Sequence, residues 1–191
     1  MKKVSLLLPL LLFVTSCSNN KAEENKKEPA IIGENKTLVA YFSRTNNTEK
    51  VANYIFDELK TDKYEIEAKI PYTDEDIKYY TDCRADREQK DPTARPEIGS
   101  ESIDVSPYDV IYLGYPIWHG EAPKIMYTFI EAYNFENKTI IPFCTSSSSP
   151  LGSSATNLSK SALNATWLNG KRFASNASKE EVLTWIHSLE Y

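Results

Sequence analysis

Residues 37–48, Thr-Leu-Val-Ala-Tyr-Phe followed by Ser-Arg-Thr-Asn-Asn-Thr, constrain this chain more than any other stretch. Six residues suited to a buried strand end in a loop of hydroxyl and amide side chains. A helical pattern over 49–59 begins at once. Ser43, Thr45, Asn47 and Thr48 can each donate a hydrogen bond. The first turn of the helix adds backbone N–H groups that have no partner within the helix. Neutral donors and the positive end of a helix dipole together make a cradle for a phosphate group. The loop has no glycine, which excludes both the G-x-G-x-x-G dinucleotide turn and the G-x-x-x-x-G-K-[ST] nucleotide loop. The simpler alternative is that these residues only cap the helix.

The rest of the chain alternates in the same way. The first strand is expected over 37–42 and the first helix over 47–60, with Val51, Ile55 and Leu59 on one face. Residues 64–68 alternate like a strand. Residues 109–115 form a continuous apolar run, as in a strand buried on both faces. A helix follows over 123–133 with Ile125, Met126, Phe129 and Ile130 inward, then a strand over 138–144, a helix over 154–163 and a short strand within 166–173. Ser178 and Glu181 have capping-box spacing and start a last helix with Val182, Trp185, Ile186 and Leu189 inward. Strands separated by helices imply a parallel sheet covered on both faces through right-handed crossovers. Residues 70–107 interrupt the alternation. Within them, 74–90 predicts a polar helix carrying Ile77, Tyr80, Cys83 and Arg84 inward. Tyr79 and Tyr80 either flank a ligand or, the favoured reading, pack the insert onto the domain.

The chain divides into three parts. Lys2 and Lys3 precede an apolar run over 4–14, too short to span a membrane, and then Thr15, Ser16 and Cys17. This is the pattern of a signal peptide over 1–16. Val14-Thr-Ser-Cys17 resembles a bacterial lipobox, which implies cleavage before Cys17 and a lipid on its sulfur. Residues 17–35, rich in Lys, Glu and Asn, read as the lipidated cysteine and a flexible tether. Residues 36–191 suit one domain. The expected location is the bacterial cell envelope, lipid-anchored at a periplasmic or extracytoplasmic face. The chain carries 22 basic and 27 acidic residues; without Lys2 and Lys3 the balance is 20 against 27, a net charge of −7. Such an acidic domain argues against nucleic acid as a partner. With two histidines in the chain and two cysteines, Cys83 and Cys144, far apart beyond Cys17, no metal site is expected. Cys83 and Cys144 either pair or stay free.

In open α/β sheets a ligand sits beyond the carboxyl ends of the strands, where strand order reverses. Three loops reach that place. The first is 43–48. The second, Gly114-Tyr-Pro-Ile-Trp-His-Gly120, sets an indole beside a strand end, suited to stacking on a flat ligand, with Pro116 stiffening the turn. The bland reading of Trp118 is a half-buried core residue. His119 is open to several roles: proton donor, ligand partner or solvent-facing residue. The third, Thr145-Ser-Ser-Ser-Ser-Pro-Leu-Gly152, offers five hydroxyls to the edge of a heterocycle.

These three loops resemble the FMN-contacting loops of flavodoxins, and Cys83-Arg-Ala-Asp-Arg-Glu88 with Ala94-Arg-Pro-Glu-Ile98 is similar to the insert of flavodoxin-like proteins of anaerobic bacteria. The resemblance covers 36–191. It implies a three-layer, doubly wound α/β fold: a five-stranded parallel sheet in the order 2-1-3-4-5 with helices on both faces. It also implies FMN as cofactor. Ser43, Thr45, Asn47 and Thr48 would hold the phosphate, with the backbone of Arg44, Asn46 and Asn47 nearby. Pro116, Ile117 and Trp118 would line one side of the ring, with His119 and Gly120 closing the turn. Thr145, Ser146, Ser147, Ser148 and Ser149 would meet its other edge. The chain departs from the family in the third loop, where Ser147, Ser148 and Pro150 replace glycines that permit φ > 0.

Three readings follow. The first is a lipid-tethered electron carrier that works through its flavin with a redox partner protein or a small-molecule acceptor. The second is an FMN-dependent NAD(P)H oxidoreductase acting on a quinone or other small molecule. The third is a non-catalytic lipoprotein that has lost FMN.

Overall fold

The computed structural model describes residues 36–191. The signal peptide, Cys17 and the tether lie outside the described residues. The elements run Thr37–Tyr41 (β1), Asn47–Leu59 (α1), Asp62–Glu65 (β2), Arg84–Lys90 (α2), Val110–Pro116 (β3), Lys124–Ala132 (α3), Thr139–Thr145 (β4), Ser154–Ser159 (α4), Thr166–Trp167 (β5), Lys171–Phe173 (β6) and Lys179–His187 (α5). A single turn of 3-10 helix, Glu75–Ile77, precedes α2.

The sheet is parallel in the order β2-β1-β3-β4-β5, and β6 also pairs with β4. The last position of the expected five-stranded sheet is thus shared by two short segments, separated by Leu168, Asn169 and Gly170. The order reverses between β1 and β3, so the loops after these strands diverge and leave a crevice at their carboxyl ends.

Alternation along the strands builds two cores. Val39 and Tyr41 of β1 face one side with Tyr112, Ile141 and Phe143, where Val51 and Ile55 of α1 and Val182, Trp185 and Ile186 of α5 cover them. Leu38 and Ala40 face the other side with Ile111, Leu113 and Ile140, under Ile125, Met126, Phe129 and Ile130 of α3. β3 and β4 are buried on both faces, which is why both read as apolar runs. Gly114 lets β3 lie against Phe143 of β4; a Cβ there would press into the ring. Ser178 Oγ accepts from the Glu181 N–H and caps α5, as the spacing predicts.

The structure corrects several expectations. The second strand is Asp62–Glu65 rather than 64–68, because Ile66 N–H pairs with the Tyr41 carbonyl and the chain then leaves the sheet. Helix α4 ends at Ser159, earlier than expected, in successive turns over 160–165. The insert is not one helix over 74–90. Tyr80 and Asp82 have φ of 61° and 53°, a left-handed backbone that no helix accommodates. Tyr80 is 89% exposed instead of inward. Ile77 packs against the core, Cys83 is buried in it, and Arg84 lies over the Tyr72 ring. Cys83 and Cys144 are both free and buried. Among the described residues no helix is long and apolar enough to cross a membrane.

Candidate functional site

A cavity of about 430 Å³ opens at the carboxyl ends of β1, β3 and β4, a usual size for a small-molecule site. Thr45 and Asn47 line it from the first loop, Pro116, Ile117 and Trp118 from the second, and Thr145 to Ser149 from the third. Ile77, Tyr79 and Ser175 complete the wall. The first two come from the insert and the last from the turn after β6. Ser175 gave no signal of its own. Its place follows from β6 running parallel to β4, so that both end on the same side.

The first loop sorts its polar side chains. Asn46 precedes α1 with φ 61° and leaves the helix without a side-chain cap at that position. Ser43 Oγ instead accepts from the Glu49 N–H at 3.2 Å. Asn47 Nδ2 donates to Thr45 Oγ1 at 3.1 Å. Among the described residues nothing accepts from the N–H groups of Thr45, Asn46, Asn47 or Thr48. The Thr48 hydroxyl does not line the cavity; it is buried and lies 2.7 Å from Thr145 Oγ1, tying the first loop to the third. Arg44 turns away and pairs with Asp74 at 2.7 Å. Among the described residues the cavity floor therefore carries neutral donors and a helix N-terminus, and no basic side chain lines it.

The third loop is a built structure rather than a slack linker. Arg172 of β6 donates to the carbonyls of Ser146 and Ser147 at 2.8 and 2.6 Å and to Ser146 Oγ at 3.1 Å. Ser146 N–H donates to the Phe173 carbonyl, and Ser146 Oγ to the Ser149 carbonyl. With those carbonyls occupied, the N–H groups of Ser147, Ser148 and Ser149 have no acceptor among the described residues.

The second loop is the aromatic wall. Trp118 is 8% exposed and meets Phe42 and Tyr72 edge to face, with centroids 5.4 and 5.0 Å away. Both readings of this residue hold: it belongs to the core and it lines the cavity. His119 and Gly120 do not line it. They form the turn, with φ of 51° and 80°, that returns the chain from Trp118 to Glu121 through a reciprocal backbone pair. Tyr79 stacks on the His119 ring at 4.4 Å, and its hydroxyl accepts from the His119 backbone N–H. The insert thus packs on the domain and reaches the cavity through the same residue. Among the described residues no group of three or more His, Cys, Asp or Glu side chains is placed to hold a metal.

A sequence model of the flavodoxin family matches residues 36–189. The chain belongs to the flavodoxin family. A solved structure of a candidate flavoprotein from Bacteroides uniformis is similar, with 37% identity and a TM-score of 0.77 over 81% of this chain and 99% of that one. One from Bacteroides eggerthii has 37% identity and a TM-score of 0.73, over 80% of this chain and 96% of that one. A flavoprotein of Lactobacillus acidophilus, solved in complex with FMN, shares the fold at 23% identity and a TM-score of 0.61, over 80% of this chain and 99% of that one. The flavodoxin-like domain-containing protein BilS of Clostridioides difficile is 30% identical over 118 residues, 62% of this chain. The match spans about half the length of that relative, 51%.

Proposed function

We propose that this flavodoxin-family domain binds FMN in the cavity and carries electrons through it, tethered to a membrane by a lipid on Cys17. One observation carries the cofactor reading: unpartnered N–H groups at the start of α1 and in the third loop border one cavity whose wall is a fixed indole. A phosphate suits the helix end, and a planar heterocycle with carbonyl acceptors suits the rest. The FMN complex of the Lactobacillus acidophilus protein supports the same reading.

Bound FMN supplies the redox chemistry. The protein supplies position and field. Thr45, Asn47 and the first turn of α1 hold the phosphate without a countercharge. Pro116, Ile117 and Trp118 exclude water from one side of the ring, and Thr145 to Ser149 address its polar edge. The domain's net negative charge opposes the gain of electrons and favours basic partner proteins.

The insert favours a second reading. Ile77 and Tyr79 line the cavity and would shape room for a small acceptor, as in an NAD(P)H-dependent reductase. The FMN-loaded protein is to be mixed with NADH or NADPH and a quinone, and separately, after reduction by dithionite and removal of the excess reductant, with cytochrome c. A carrier passes electrons to cytochrome c and leaves the nicotinamide unoxidised. Rapid NAD(P)H oxidation with quinone overturns the carrier in favour of the reductase.

A further inference from the structure

Helix α2 of the insert does not touch the cavity, yet two of its side chains hold the loop that does. Gln89 Nε2 donates to the Trp118 and Ala122 carbonyls at 2.9 and 3.2 Å, bracketing the turn at both ends. Asp86 Oδ1 lies 2.5 Å from His119 Nε2, at the apex of the same turn. The Asp86 side chain is 4% exposed, a costly place for a carboxylate unless something recompenses it. Burial pushes its carboxyl up, but His119, the Cys83 thiol and the Asp82 backbone outweigh that and hold it below the usual carboxylate range. Tyr79 stacks on the His119 ring, and its hydroxyl accepts from the His119 backbone N–H. The turn itself is strained, since His119 sits at φ 51° without being glycine. A buried acid and an amide spent on a strained turn point to a purpose beyond folding of the insert.

We infer that Asp86 and Gln89 are positioning residues for the cofactor ring: α2 clamps Trp118–Ala122, and the clamp fixes where Ile117 and Trp118 stand. This rests on the FMN reading. It separates two functions along the sequence, with the first loop serving the phosphate and the insert serving the ring.

The test uses FMN and riboflavin, which share the ring and differ in the phosphate, on the full chain and its D86N, D86A and Q89A variants. D86N keeps the shape of the site if D86A fails to fold. Each variant is expected to weaken FMN and riboflavin by the same factor, about tenfold, the loss of a buried hydrogen bond or ion contact. The FMN-to-riboflavin affinity ratio then stays at its wild-type value. In the cofactor-free protein, amide hydrogen exchange of Trp118 and Glu121 is expected to quicken in D86N and Q89A, while β1 and β3 exchange as before. Folded variants that bind both ligands like wild type overturn the inference, as does a loss confined to FMN. Wild-type protein that binds neither ligand overturns the FMN reading itself, and the exchange measurement still decides whether the clamp exists.

Discussion

Thr48 shows how much can turn on one side chain. Its hydroxyl and that of Thr145 are buried and satisfy each other across two loops. Thr48→Val removes one partner and keeps the shape, so it leaves the other hydroxyl buried and unpaired. The expected cost is about 1–3 kcal/mol in unfolding free energy, measured by urea denaturation. From the sequence, Ser43, Thr45, Asn47 and Thr48 look alike as donors. Which of them faces a ligand depends on the left-handed Asn46 and the start of α1, and neither is encoded by a glycine. Cys144 gives a second prediction at this scale. Burial in β4 pushes its thiol up to about 12, with Arg172 pulling the other way. No thiolate forms at neutral pH, so iodoacetamide is expected to leave Cys144 unlabelled in the native protein and to label it in urea. Labelling of Cys144 at the same rate in both states would contradict the packing around β4.

At the scale of elements, β6 is the piece whose function the sequence hid most. It has three residues, and its partly buried Arg172 looks like an ordinary surface charge until the pairing with β4 brings it under the third loop. There the guanidinium holds Ser146 and Ser147, the second of them in place of a glycine. Arg172→Ala frees the Ser146 and Ser147 carbonyls. FMN affinity is expected to fall about tenfold by fluorescence titration, with the helical content unchanged by circular dichroism. The main strands were far more legible. β3 and the centre of β4 are apolar because both faces are covered, and α1, α3 and α5 show their inward faces at helical spacing. The insert was not legible as built. Its break lies at Tyr80 and Asp82, residues with no intrinsic preference strong enough to announce a positive φ. Tyr79 stands beside that break and lines the cavity.

For the molecule as a whole, acid should be the destabilising direction. The carboxyls of Asp62, Asp76, Asp86, Asp91, Asp104 and Glu131 are all held below their ordinary values. Hydrogen bonds lead the causes for five of them, and His119 for Asp86 once burial is overcome. A depressed folded-state value means stability that is complete above the unfolded value, about 4, and is lost as pH falls through the folded one. Glu65 has the opposite sign: burial raises it, so its contribution is present at low pH and is lost as pH rises through its folded value. Six groups against one predict a melting temperature level near neutrality that drops below about pH 4. A melting temperature that rises on acidification would contradict the ion pairs and hydrogen bonds described. The alternation of strands and helices followed from chain order and apolar pattern, while the strand order came from the resemblance to flavodoxins. On the cavity's fourth side the sequence offered Tyr79 as one of two readings, and Ile77 and Ser175 emerged only in the folded chain.

Whether the cavity at the switch point is an FMN site is tested by an absorbance titration of the purified chain with FMN. Saturation is expected at one flavin per chain, with the visible bands shifted and flavin fluorescence changed by Trp118. A folded protein that leaves the spectrum and fluorescence of added FMN unchanged would contradict it.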